Sequence, residues 1–427
     1  MNTTSASSAS DPGKPSSNCD RRSFLRHSLL TAAVAPWISL NSPVSGGEAL
    51  ANPEGKRSFS GRRIRLGVVG CGGRGGWITR LFHQHGGYEI HAVADYHQAV
   101  ADACGDAVGV DQSRRYSGLS GFRKVIESGV EAIALETPPF FFPEHVRAAV
   151  EAGLHVYMAK PVAVDIPGCV QVEACARKAT ASKRCFLIDY QIPTDPHNLR
   201  VVEMIRQGEI GALAALNSHY FAGSFADPPR TANCEDRLQK LIWVNDVSLG
   251  GGYHVNACIH AIDAALWVAG QRPVSATGSS RRMRSEPHGD SHDVFSILYE
   301  FPNGLALNHR GKHLNNQTGF NVVCEAQGQT GYAQINYGGK AFLKGPENAY
   351  EGEVTNPYEA GAVRNIAAFY EDVTRQHYEN STVQRSIDGT LATILGREAA
   401  RRRARTTLEE LLRENRRLEV DLSGLKS

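Results

Sequence analysis

The run Gly70-Cys71-Gly72-Gly73-Arg74-Gly75 comes straight after an apolar segment, Ile64-Arg65-Leu66-Gly67-Val68-Val69. A buried strand that ends in glycines spaced G-x-G-x-x-G and opens a helix leaves the chain few folds. Gly70 permits the tight turn, Gly72 lets a pyrophosphate approach the backbone, and Gly75 lets the helix pack on the strand. The helix start, with Gly73 and Arg74, then offers unpaired N–H groups and a partial positive charge to the phosphates. A second apolar run, Ile90-His91-Ala92-Val93-Ala94, ends at Asp95, twenty positions beyond Gly75. A carboxylate there accepts hydrogen bonds from a ribose hydroxyl and repels a 2′-phosphate, so the expected cofactor is NAD rather than NADP.

Further apolar strands follow at Ala132-Ile133-Ala134-Leu135 and His155-Val156-Tyr157-Met158. The first leads through Thr137-Pro138-Pro139 into a helix carrying His145, Val146 and Val150. This alternation predicts an α/β Rossmann domain over 63–188, a doubly wound parallel sheet with helices on both faces. Past residue 189 the pattern changes to strict apolar–polar alternation, as in Phe295-Ser296-Ile297-Leu298-Tyr299, broken by turns such as Pro302-Asn303-Gly304. That predicts an α+β domain over 189–427 with a large, mostly antiparallel open sheet. Helices are expected near Ala362–Arg375 and from Ile387 to Arg413.

Ahead of both domains, Asp20-Arg21-Arg22-Ser23-Phe24-Leu25-Arg26 precedes the apolar stretch Leu29–Leu40. Residues 1–51 are read as a disordered n-region and twin-arginine export signal, and 52–62 as a linker. The expected partner during export is the twin-arginine translocase, and the expected location is periplasmic or otherwise exported. No later stretch approaches the ~20 apolar residues that span a bilayer. A net charge of +2 gives no drive toward nucleic acid. The nine cysteines lack paired metal-ligand spacing and read as buried or inert thiols. His83-Gln84-His85 and the His288–Asp293 cluster read as solvated or pocket-bordering groups, so no metal site is expected.

Two clusters carry the chemistry. Tyr157-Met158-Ala159-Lys160-Pro161 ends a strand of the nucleotide domain, and ligands in open α/β sheets sit at the carboxyl ends of strands. Gly250-Gly251-Gly252-Tyr253-His254-Val255-Asn256-Ala257-Cys258-Ile259-His260-Ala261-Ile262-Asp263 reads as glycines opening one helix that runs to Gly270. On it Asn256, His260, Asp263 and Trp267 fall on one stripe. Hydride transfer from a secondary alcohol needs a base, for which His260 is suited, and a cation near the developing alkoxide, for which Lys160 is suited. Tyr253 and Asn256 are candidate substrate-binding groups.

Together these residues resemble the Gfo/Idh/MocA oxidoreductases, named for glucose–fructose oxidoreductase and inositol dehydrogenase. The resemblance extends through Thr137-Pro138-Pro139, Lys160-Pro161, the Gly250–Asp263 block and Ile394-Leu395-Gly396-Arg397-Glu398-Ala399. It implies an N-terminal Rossmann domain, a C-terminal open sheet whose outer face mediates homo-oligomer formation, and a sugar, cyclitol or sugar derivative as substrate. The family pattern Glu-Lys-Pro is matched at Lys160 and Pro161, with Ala159 in the glutamate position. The pattern Asp-x-x-x-His is matched at His260, with Asn256 in the aspartate position; Asp263 is the expected partial replacement. Export separates the enzyme from free NAD, so a retained cofactor in a redox-neutral cycle is expected. The alternatives are a redox-assisted NAD-dependent glycoside hydrolase and a non-catalytic dinucleotide- or sugar-binding protein.

Overall fold

The computed structural model describes residues 59 and 61–427. The twin-arginine segment and nearly all of the linker lie outside the described residues. The chain first alternates β1 (Ile64–Val69), α1 (Gly73–His85), β2 (Tyr88–Asp95), α2 (Gln98–Val108), β3 (Arg115–Ser117), α3 (Gly121–Glu127), β4 (Ala132–Leu135), α4 (Phe142–Glu151), β5 (His155–Ala159), α5 (Ile166–Ala181) and β6 (Phe186–Asp189). The six strands form a parallel sheet in the order β3-β2-β1-β4-β5-β6. The order reverses between β1 and β4, which is where such a sheet opens a crevice for a dinucleotide. Its central strands are buried on both faces, which is why β4 reads Ala-Ile-Ala-Leu without a polar residue.

The second half continues with α6 (Pro196–Arg206), β7 (Leu213–Ala222), α7 (Val247–Gly250), α8 (Gly252–Asn256), α9 (Ile259–Ala269), β8 (Ser275–Arg281), β9 (Val294–Glu300) and β10 (Ala306–His313). It ends with β11 (Asn321–Gly328), β12 (Tyr332–Asn336), β13 (Gly339–Lys344), β14 (Ala349–Val354), α10 (Pro357–Arg375), α11 (Thr382–Arg402), β15 (Thr406–Thr407) and α12 (Leu408–Glu414). Nine strands pair in the order β14-β13-β12-β11-β7-β10-β9-β8-β15. All neighbours are antiparallel except β7 and β10, which run parallel. Phe295, Ile297 and Tyr299 of β9 turn inward, and their alternating neighbours turn outward. The inner face is covered by α9 and α11.

Two helical expectations need correction. The helix expected from Ile387 to Arg413 is two helices, because Arg403 adopts φ +52°, a left-handed conformation that ends α11. The helix expected from the glycines to Gly270 is also two, broken at Ala257-Cys258 between α8 and α9. α10 returns from the second half to the nucleotide sheet, placing Ile366, Phe369 and Val373 in one core with Leu66, Phe82 and Tyr157.

The segment that leads into α7 and α8 is held by a buried charge network. Arg237, fully enclosed, donates to Asp246 at 2.7 Å and to Asp227 at 2.8 Å, and Arg284 bonds the same Asp227 at 2.9 Å. Removing one partner of a buried pair leaves an uncompensated charge. Arg237→Met is expected to destabilise the protein by on the order of 3 kcal/mol, because Arg284 and Arg230 still serve the two carboxylates. An unchanged urea midpoint would show that the network carries no net stability.

Candidate active site

The glycine turn shows its three roles in its geometry. Gly70 sits at φ +91°, and a Cβ there would lie 2.6 Å from the Glu136 carbonyl carbon. A Cβ on Gly75 would fall 1.8 Å from the Gly70 carbonyl oxygen, so only glycine allows α1 to pack this closely. Around Gly72 and Gly73 no atom lies within 4 Å of a built Cβ. That open cradle faces the start of α1, whose first turn has no acidic residue and no side-chain cap. Its N–H groups are therefore free for an anionic ligand. Asp95 closes the crevice at the end of β2, accepting from Cys71 N at 2.8 Å and from His97 N at 3.0 Å. Thr137 and Pro138 follow β4 across the crevice, with Thr137 Oγ1 3.3 Å from His145 Nδ1. These residues fit a dinucleotide.

Arg74 does something the turn motif does not specify. It reaches from α1 to Glu136 at 3.1 Å and to Asp189, and donates to the Tyr358 hydroxyl at 3.1 Å. The residue joins the glycine turn to the ends of β4 and β6 and to α10. Glu136 and Asp189 are both enclosed. Burial pushes the Glu136 carboxyl up to about 7, against the pull of Arg74. Asp189 also accepts from Asn365 at 2.5 Å and Gln191 at 3.0 Å.

Lys160 lies just past β5, beside this group. Its Nζ donates to the Asn256 carbonyl at 2.7 Å. Burial pushes its pKa down to about 7; Arg74 adds to the fall, and Asp189 and Glu136 oppose it. His260 comes from the first turn of α9 and packs against Tyr220, Tyr337 and Tyr190. Burial, and then the cations Lys160 and Arg74, hold its imidazole well below the ordinary histidine range. His260 Nδ1 and Asn256 Nδ2 are buried without a hydrogen-bond partner. Lys160, Asn256 and His260 thus meet in one place, with two unpaired polar atoms beside an amine.

Two expected site residues are placed elsewhere. Asp263 does not partner His260: it lies less than one turn further along α9, but its carboxylate pairs with Arg385 at 2.9 Å. Burial raises that carboxyl to about 6. Tyr253 does not line the site, because it is fully enclosed and its hydroxyl donates to the Lys312 carbonyl at 2.7 Å, with the Tyr220 carbonyl at 3.1 Å. Asn256 and His260 meet across the break at Ala257-Cys258, whereas Tyr253 turns from α8 toward β7 and β10. Glu136 and Asp189 escaped the sequence reading. The signal was available for Asp189: it is the direct neighbour of Ala159 in the β5–β6 register. The carboxylate that position 159 lacks is supplied from the adjacent strand end.

The roles of the turn glycines can be separated. Gly72→Val should keep the fold and lose bound nucleotide, since its Cβ enters open space where a pyrophosphate would lie. Gly75→Val should instead disrupt the packing of α1. Circular dichroism and mass spectrometry of co-purifying nucleotide check this; a folded Gly72→Val protein with a normal nucleotide load would refute the placement.

Comparison with known proteins agrees with this geometry. Residues 64–186 match the oxidoreductase family with an NAD-binding Rossmann fold, and residues 198–334 match the GFO/IDH/MocA C-terminal domain. An inositol 2-dehydrogenase of Klebsiella pneumoniae (strain 342) is 26% identical over 275 residues, spanning 64% of this chain and 74% of that protein. The fold is similar to the aldose-aldose oxidoreductase of Caulobacter crescentus, solved with glycerol, at TM-score 0.67 and 18% identity, covering 81% of this chain and all of that one. It is also similar to the scyllo-inositol dehydrogenase of Lactobacillus casei, solved with NAD(H) and scyllo-inositol, at TM-score 0.65 and 17% identity over 82% of this chain and 100% of that one. This chain belongs to the Gfo/Idh/MocA family of oxidoreductases, whose Rossmann domain binds NAD.

Proposed function

We propose that this protein interconverts a secondary alcohol and a ketone on a sugar, cyclitol or sugar derivative, with Lys160 exchanging the hydroxyl proton. The observation that carries the proposal is the Lys160 amine: partly buried just past the carboxyl end of β5, donating to the Asn256 carbonyl, with desolvation lowering its pKa to about 7. A group that titrates near the working pH is the most effective proton acceptor and donor. His260 was the expected base, but a neutral imidazole without a carboxylate partner accepts a proton poorly. Asn256, an amide, supplies no charge to raise it. His260 therefore positions substrate, as does the Asn256 amide, and their unpaired nitrogens suit a polyhydroxylated ring. The similarity to inositol dehydrogenases supports the same substrate class.

When bound, NAD accepts and returns the hydride. In the oxidising direction the neutral Lys160 amine takes the hydroxyl proton as the C–H hydride leaves. In the reducing direction the ammonium gives that proton back to the carbonyl oxygen. Glu136 and Asp189 keep enough charge near Lys160 for both forms to be populated near neutrality.

We further assign an exported, NAD-retaining role, supported by Arg21-Arg22 and the apolar stretch that follows. A cofactor carried out of the cytoplasm has no free pool to exchange with, so each oxidation is balanced by a reduction on the same protein. Exported protein should co-purify with NAD and turn over without added nucleotide. Arg21→Lys with Arg22→Lys should retain it in the cytoplasm; unchanged export would dismiss the signal. Release of free sugar from a glycoside without net reduction would favour the hydrolase cycle. Sugar binding with no turnover would mark a binding protein.

Single-turnover reduction of bound NAD should rise with pH through about 7 as Lys160 loses its proton. Lys160→Met should slow that step by ~10²–10⁴-fold and abolish the inflection, the usual scale for a lost acid–base group. His260→Gln should mainly raise KM. An inflection that survives in Lys160→Met and disappears in His260→Gln would return the base to His260.

A further inference from the structure

Behind the break between α8 and α9, on the side facing the large sheet, three donors meet. One ring nitrogen each from His254 and His309 and the Cys258 sulfur lie within 4.8 Å of one another. None of the three residues is more than 1% exposed. They come from α8, the break itself and β10. Cys258 meets Gly311 of β10 rather than the group formed by Lys160, Asn256 and His260. A Cβ on Gly311 would lie 2.6 Å from the sulfur, so glycine is what admits the thiol here.

The two imidazoles are oriented by hydroxyl groups. His254 Nε2 is 2.9 Å from the Tyr299 hydroxyl, and His309 Nδ1 is 2.8 Å from the Ser218 hydroxyl. The opposite nitrogens, His254 Nδ1 and His309 Nε2, are buried with no partner. In either tautomer, a metal-free cluster leaves these two ring atoms unsatisfied, against the strong tendency of buried polar groups to be paired. Imidazoles fixed through one nitrogen by an outer partner, with the other nitrogen free beside a thiol, are how proteins prepare metal ligands.

We propose that His254, Cys258 and His309 bind one thiophilic d10 cation, zinc(II) or copper(I), at a structural site separate from the substrate site. Thiolate and imidazole are the donors that select these ions. Zinc–nitrogen and zinc–sulfur bonds of about 2.0–2.3 Å place neighbouring donors about 3.3–3.8 Å apart, so the side chains draw together on binding. The Cys258 S–H bond breaks, the sulfur keeps the electron pair, and one proton is released to solvent. The ion ties the α8–α9 break to β10. Cys258 stands two residues from both Asn256 and His260, so the tie also fixes the segment from which they project. The sequence reading missed this cluster because His254 and Cys258 are four apart but the third donor is fifty-one residues beyond Cys258.

Full-length protein should carry about one equivalent of zinc or copper by inductively coupled plasma mass spectrometry. Protein stripped by chelator under reducing conditions should take up one equivalent of zinc(II) or copper(I), in separate titrations that tell the two apart, with a rise in melting temperature. Cobalt(II) uptake by wild-type protein should produce a thiolate-to-metal charge-transfer band, which needs no variant to interpret. Cys258→Ser and His309→Gln should lose both the metal and the band. Absence of metal as purified together with no uptake of either ion by stripped protein would overturn the proposal. So would retention of metal and band in both variants.

Discussion

Arg74 is the residue on which the architecture of the site depends. Its guanidinium is held between the buried carboxylates of Glu136 and Asp189 and rests against Trp77 and Tyr358. Four separate parts of the chain converge on it: the glycine turn, the end of β4, the end of β6 and the start of α10. Two buried carboxylates flank one partly exposed cation; burial raises Glu136 to about 7, and the Lys160 amine lies beside them. Without those carboxylates, burial and Arg74 would drive Lys160 further toward the neutral amine. The protonation of this group is thus set by a charge balance rather than by any single side chain.

This balance explains how the chain departs from the Glu-Lys-Pro and Asp-x-x-x-His patterns and keeps a coherent site. Ala159 removes a carboxylate from β5, and Asp189 faces the vacant position from β6. Asn256 removes a carboxylate from the histidine side, and burial with the cations Lys160 and Arg74 holds the imidazole well below the ordinary histidine range. The first change is compensated in place. The second leaves His260 without a charged partner on that side. Asp263, which stands close in sequence, is committed to Arg385 and cannot take part.

The fold was readable because its signals are local. Buried parallel strands are apolar throughout, and glycines at 70, 72 and 75 have steric roles that spacing alone reveals. Asp95 could be placed because it ends a strand. What was not readable depends on where distant segments meet. Arg74 looked like a phosphate ligand at a helix start, yet its partners are 62 and 115 residues away. Tyr253 looked available because it adjoins the glycines, but its hydroxyl is committed to the Lys312 carbonyl on β10 and the Tyr220 carbonyl on β7.

The parallel pairing of β7 with β10 sets a time scale on the molecule. β7 lies in the middle of the nine-stranded sheet, between β10 and β11, and its partners begin at Leu307 and Asn321, roughly ninety residues or more along the chain. No sequence of short hairpins assembles that centre. The intervening segment, with α7, α8 and α9, has to be gathered in before the strands can register, and closing such long loops makes folding slow.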